Sequence, residues 1–194
     1  RQEYSSSPSG NQILDQGNGD VTGLVADVSP GQIWIGGDDG FQLLNTTTGA
    51  EIYDIEKGSS LYGAGDGNSG DPFDMQIYNG IMYYYTGLGD VFRLDVVNYN
   101  VLSELGVGAR VGENSGTINS LTIIDGVLMA SVSSGQWWNT DGSGGIAQWD
   151  ISSGSWDTSI LPIGQVDRVT AYESTTGNTW VSWGESNLEL IAPN

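Results

Sequence analysis

The feature that most constrains this chain is an internal repeat, in which one order of short apolar strands and turn residues recurs four times. The first copy, residues 21–55, runs VTGLVADV, SPGQ, IWIGG, DDG, FQLLN, TTTGAE, IYDI. The second, residues 74–105, runs DMQIY, NG, IMYYYT, GLGD, VFRLD, VVNYN, VLSEL. The third, residues 118–161, runs INSLTII, DG, VLMASV, a longer insert, IAQWD, ISSGS, WDTSIL. The last, residues 167–191, runs DRVTAYE, STTGN, TWVSW, GESN, LELI, and stops after its third strand. Second strands begin at Ile33, Ile81, Val127 and Thr179, a period of roughly 46–52 residues, which is the scale of a supersecondary unit.

Each copy reads as four short strands, alternating or wholly apolar, divided by turn residues. Asn79-Gly80 and Asp125-Gly126 are strong hairpin signals, because both central positions of a type I′ turn need φ > 0. Apolar residues never follow helical spacing, and Gly is too frequent for long helices. Four antiparallel strands repeated at this interval are expected to be the blades of a β-propeller. A β-sandwich also has many short strands, but it does not explain why turn, strand and Gly-Asp loop recur in register. The expected fold is therefore all-β, a propeller of four-stranded antiparallel blades in units near 21–62, 73–105, 118–161 and 167–191.

The last unit lacks an outer strand, while residues 11–15 (NQILD) form a strand with no unit of their own. The economical expectation is that this N-terminal strand completes the last blade and closes a ring of four. Four blades are few for a propeller. Two other readings therefore stay open: half of a larger ring completed by a second copy or another chain, or a piece of a longer propeller protein.

Residues 21–55, with their apolar first strand, Gly turn, Trp34-Ile35-Gly36, Gly-containing loop and Thr48-Gly49 before the last strand, resemble the two-component-regulator propeller repeat. The other units match it loosely and look somewhat Kelch-like through Tyr84, Trp149 and Trp156, expected in outer strands. The Gly-His of WD repeats is absent, and Trp156-Asp157 stands at the wrong place for one. The resemblance implies a propeller with a ligand- or partner-binding role outside the cytoplasm, and no particular ligand.

Charge narrows the partners. The net charge is −19, although Asp plus Glu number only 24, because Lys57 and four Arg are the only cations. Such a chain repels phosphate backbones and anionic headgroups, so nucleic acid and membrane surfaces are poor partners, while cations and neutral polymers fit better. The acidity also serves plain solubility. No apolar run approaches the ~20 residues needed to span a bilayer, so no membrane insertion is expected. An export signal is expected to have been removed or to lie outside this stretch. The absence of Cys fits a surface or secreted protein without disulfides. The absence of His excludes Ser-His-Asp relays, His acid–base work and the common zinc sites.

Loop length picks a face. If the strands of each blade run a to d, the a–b turns (SPGQ, NG, DG, STTGN) and the c–d turns are short. At the other end lie 62–73 (YGAGDGNSGDPF), 106–117 (GVGARVGENSGT) and 133–145 (SSGQWWNTDGSGG), and loops of that length are more often functional. Asp66, Asn68 and Asp71 stand close together there with Gly between, Asp74 follows just beyond Pro72, and such oxygens suit Ca²⁺. An Asx-rich turn satisfying its own backbone explains the same residues. Trp137, Trp138, Asn139 and Asp141 combine flat apolar rings with polar groups, as a sugar site does. A protein-contact patch uses the same set.

Asp71, Asp74, Asp167 and Glu113 are candidates for the channel mouth, where a pair at suitable spacing hydrolyses glycosidic bonds. Trp34, Trp149, Trp156, Trp180 and Trp183 fall in strands and are expected to pack blades. Asn45-Thr46-Thr47 matches a glycosylation acceptor and equally a strand end entering a Thr-rich turn. GGDDG, residues 36–40, reads as a short turn between strands. The leading expectation is an extracellular or cell-surface recognition module that binds a protein or a glycan on the long-loop face, with Ca²⁺ as support. The alternatives are a carbohydrate-active propeller enzyme using carboxylates and a structural segment of a large surface protein.

Overall fold

A computed structural model describes residues 21–37, 40–56, 73–85, 91–102, 105, 117–133, 144–156, 168–173, 178–183 and 187–191. They form fifteen strands and no helix. Sheet one holds β1 (Val21–Ala26), β2 (Gln32–Gly37), β3 (Gly40–Asn45) and β4 (Glu51–Glu56). Sheet two holds β5 (Phe73–Tyr78), β6 (Ile81–Tyr85), β7 (Val91–Asp95) and β8 (Asn100–Val101). Sheet three holds β9 (Thr117–Ile124), β10 (Val127–Ser133), β11 (Gly144–Asp150) and β12 (Ser155–Trp156). Sheet four holds β13 (Arg168–Glu173), β14 (Asn178–Trp183) and β15 (Asn187–Ile191). Every pairing is antiparallel and follows chain order, so each repeat is one meandering blade.

Short-range chemistry fixes the turns. Asn79 and Gly80 have φ 51° and 78°, and Asp125 and Gly126 have φ 51° and 80°, as a type I′ hairpin requires. The c–d turns share another device. Asn45 Oδ1 accepts the N–H groups of Thr47 and Thr48, both at 2.9 Å. Asp95 Oδ1 accepts those of Val97 and Asn98, both at 2.9 Å, and Asp150 Oδ1 those of Ser152 and Ser153 at 2.8 and 3.1 Å. Each such turn then passes through one left-handed residue, Gly49, Tyr99 or Gly154, with φ 69°, 56° and 65°. Gly37 pairs with Gly40, and Asp38 and Asp39 of the GGDDG stretch lie outside the described residues.

The core lies between blades. Trp34, Phe41, Leu43 and Ile55 of the first blade pack on Met75, Met82, Tyr84, Phe92 and Leu94 of the second. Tyr83, Tyr85 and Val91 pack on Ile118, Leu121, Leu128, Ala130 and Ala147 of the third. Alternate residues of β6 therefore feed two cores, which is why IMYYY is apolar throughout rather than every second residue. Tyr84, expected in an outer strand, lies in this second strand because that position is covered on both faces. Arg93 crosses the second seam with its guanidinium carbon 6.0 Å from the Trp149 ring centre, and burial raises the Tyr83 phenol above its ordinary range against the pull of that same Arg93.

The first sheet ends at Glu56 and the third at Trp156. The outer strand of the second blade is ladder-paired only at Asn100–Val101, although Leu102 N–H and Leu105 N–H still donate to Arg93 O and Val91 O. The proposed N-terminal strand 11–15 lies outside the described residues.

Candidate functional site

The inner strands β1, β5, β9 and β13 lie side by side in that order. Each carries one β-bulge near its start, at Thr22, Asp74, Asn119 and Thr170, where one residue is left without a ladder partner. A bulge bends a strand and re-aims its side chain, and bulges gather near functional sites. Gly23 lets the second blade approach here, for a Cβ at that position would stand 3.2 Å from Met75 Cε and 3.4 Å from its Cγ. The strand starts share one end of each blade with the b–c and d–a connections, so the bulges lie on the face where the long loops leave.

Asp74 is the sequence-predicted site residue that the structure describes. It is half-buried, takes φ 35° at its bulge, and its Oδ2 accepts the backbone N–H of Leu121 at 3.0 Å. Asp can adopt this left-handed backbone more readily than most residues. Its carboxylate thus joins the second inner strand to the third across 47 positions of sequence. Sequence reasoning placed Asp74 in a ligand loop and missed this tie, because a contact between repeats leaves no local signal. Asp66, Asn68, Asp71, Trp137, Trp138, Asn139 and Asp141 lie outside the described residues, as do Glu113 and Asp167. Among the described residues no group of three or more carboxylates is gathered as a metal site would need.

The opposite, short-turn end is self-satisfied. Asp27 accepts Ser29 N–H through Oδ2 at 3.0 Å and the Trp34 indole N–H through Oδ1 at 2.8 Å, a role for Asp27 that the sequence reading missed. The Asn98 side-chain amide, followed by the backbone bonds of Asn98 and Val97, holds the Asp95 carboxyl below its usual range. The Ser152 hydroxyl leads the same effect at Asp150. Asn45, the glycosylation candidate, spends its carbonyl oxygen on the turn. Trp34 is fully buried and Trp149 packs at the second seam, as expected of blade-packing residues.

No protein-family model matches the sequence, and no curated protein does so significantly. Solved structures do match in fold. The crystal structure of the computationally designed Ika4 protein superposes with a TM-score of 0.60 at 16% identity, covering 93% of this chain and 96% of that one. The extracellular domain of a protein described as a hybrid two-component system, BT3049 from B. thetaiotaomicron, gives 0.59 at 11% identity, covering 89% of this chain and 20% of that one. BamB from Moraxella catarrhalis gives 0.53 at 15% identity, covering 89% and 47%. This chain thus spans about a fifth of one neighbour and about half of the other, both β-propellers. The blades described above and these likenesses make the fold an all-β propeller.

Proposed function

We propose that this chain is a recognition module of a secreted or cell-surface protein, binding a protein or a glycan at the end where its inner strands begin. The observation that carries the reading is the asymmetry of the two ends. At one end every described turn is short and satisfies its own backbone through Asn45, Asp95, Asp150 and the two hairpin Gly. At the other, residues 57–72, 106–116 and 134–143 connect the strands, and connections of that length on a rigid scaffold are where binding residues concentrate. Trp137, Trp138, Asn139 and Asp141 are the proposed ligand-contacting set, suited to stacking on a sugar ring or anchoring a protein surface. Asp66, Asn68 and Asp71 are the proposed Ca²⁺ ligands, with Asp74 at their C-terminal side. The extracellular assignment draws on the likeness to an extracellular domain and on the sequence resemblance to sensor repeats.

A polysaccharide and glycan-array panel, run with Ca²⁺ and again with a chelator, tests this reading. Binding without turnover that disappears in Trp137→Ala/Trp138→Ala is the expected result. Release of reducing ends from any panel member would instead make the chain an enzyme.

A further inference from the structure

The turn from β3 to β4 leaves two polar side-chain groups over. The backbone of Asn45 is held on both sides, its N–H donating to Ala50 O at 2.9 Å and its carbonyl accepting Gly49 N–H at 2.8 Å. Asn45 Oδ1 takes the N–H groups of Thr47 and Thr48. The Thr46 hydroxyl donates to Gly31 O at 3.1 Å, and the Thr48 hydroxyl accepts Ala50 N–H at 3.2 Å. The side-chain nitrogen of Asn45, Nδ2, and the hydroxyl of Thr47 enter none of these bonds, and among the described residues neither has another partner. Asn45 is half-buried, and Thr46, Thr47 and Thr48 are exposed.

The sibling turns need no nitrogen at this position. Asp95 and Asp150 do with a carboxylate what Asn45 does with its amide oxygen. Each of those carboxylates also takes a further side-chain donor, the Asn98 amide on Asp95 Oδ2 at 2.9 Å and the Ser152 hydroxyl on Asp150 Oδ1 at 2.7 Å. The first turn carries Asn instead, whose Nδ2 adds two donors that the turn does not use. The two leftover groups are the two that define an Asn-Xaa-Thr glycosylation acceptor. Asn45-Thr46-Thr47 is the one Asn-Xaa-Ser/Thr triplet in the chain.

We propose that Asn45 Nδ2 carries an N-linked glycan, an inference that rests on the export of the chain under the proposed function. The co-reactant is a lipid-phosphate-linked oligosaccharide of the secretory membrane. Nδ2 bonds to the anomeric carbon of that sugar, and the bond from this carbon to the phosphate oxygen breaks. The lipid phosphate leaves with the electron pair, and one Nδ2 proton passes to a base of the transferase. Oδ1 stays an acceptor throughout, so every hydrogen bond of the turn survives the addition. The glycan stands at the short-turn end, and the long-loop face stays uncovered.

The 194-residue chain, translated behind a cleavable export signal into glycosylation-competent microsomes and secreted from a eukaryotic host, tests the inference by mass spectrometry. The expected species is heavier than 20.6 kDa by one glycan. A glycan-releasing amidase is expected to remove it and to leave Asp at position 45 in the tryptic peptide that ends at Lys57. Asn45→Asp and Thr47→Ala are each expected to abolish the added mass while keeping the circular-dichroism spectrum and the melting temperature, because the fold uses neither Nδ2 nor the Thr47 hydroxyl. An unmodified chain inside the microsomes overturns the inference. So does added mass that persists in Thr47→Ala, or a glycosylated chain that has lost the melting transition of the amidase-treated one. Ligand binding by the long-loop face is read separately on both forms. An empty Asn45 in a chain that still binds its ligand sinks this inference alone, and an occupied Asn45 in a chain that binds nothing sinks only the recognition reading.

Discussion

Asp74 shows what a single residue contributes to this fold. Its carboxylate satisfies a backbone N–H of the neighbouring blade, while its own backbone occupies a conformation that Asp and Asn tolerate and Ala resists. Asp74→Ala is expected to cost about 1–3 kcal/mol in urea unfolding, the range for leaving a partly buried donor unsatisfied. Asp74→Asn, which keeps an acceptor oxygen, recovers most of that loss. Equal losses in both variants would mean that the bond contributes nothing. The c–d turns add a pH dependence. Because the folded Asp95 and Asp150 carboxyls lie below their ordinary range, their stabilisation is complete above the unfolded value and fades as pH falls through the folded one. The melting temperature should drop on acidification below about pH 4, and Asp95→Asn/Asp150→Asn should flatten that drop. These residues were only partly legible in the sequence. The Asn-Gly and Asp-Gly turns announce themselves, since the φ requirement is local. The Asp74 tie spans two repeats, and nothing beside Asp74 in the chain announces it.

The blade element is a sheet with two covered faces, and this explains both its sequence and its tolerance to change. β6 could be located from its apolar run, but assigning Tyr83 and Tyr84 to opposite seams requires knowing which blade lies on each side. The seam between the first two blades includes a turn residue. Tyr99 holds φ 56° and stacks on Tyr53 with centroids 4.1 Å apart and planes at 20°, while lying 6.4 Å from Trp34. Tyr99→Gly would relieve a left-handed backbone cost of about 1 kcal/mol and lose a ring pair worth about 0.5–1.5 kcal/mol together with its buried area. A net loss of stability in thermal unfolding is expected. A gain would show that the ring does not account for a Tyr at that position.

At the scale of the molecule, the repeat specifies the architecture, because a four-strand period leaves few ways to bury both faces of every sheet. The number of blades in a closed propeller is not legible in the sequence, since curvature depends on how each seam packs and not on any one repeat. The candidate site was legible as a face rather than as a constellation: loop length separates the two ends, and strand order puts the bulges of the inner strands on the same side. The most direct test compares the two ends in one assay. On a panel of immobilised polysaccharides and protein baits, Trp137→Ala/Trp138→Ala at the long-loop end should abolish binding. Thr47→Ala/Ser153→Ala, in exposed c–d turns at the other end, should leave it intact. Binding that survives the first pair and is lost with the second would contradict a recognition surface on the long-loop face.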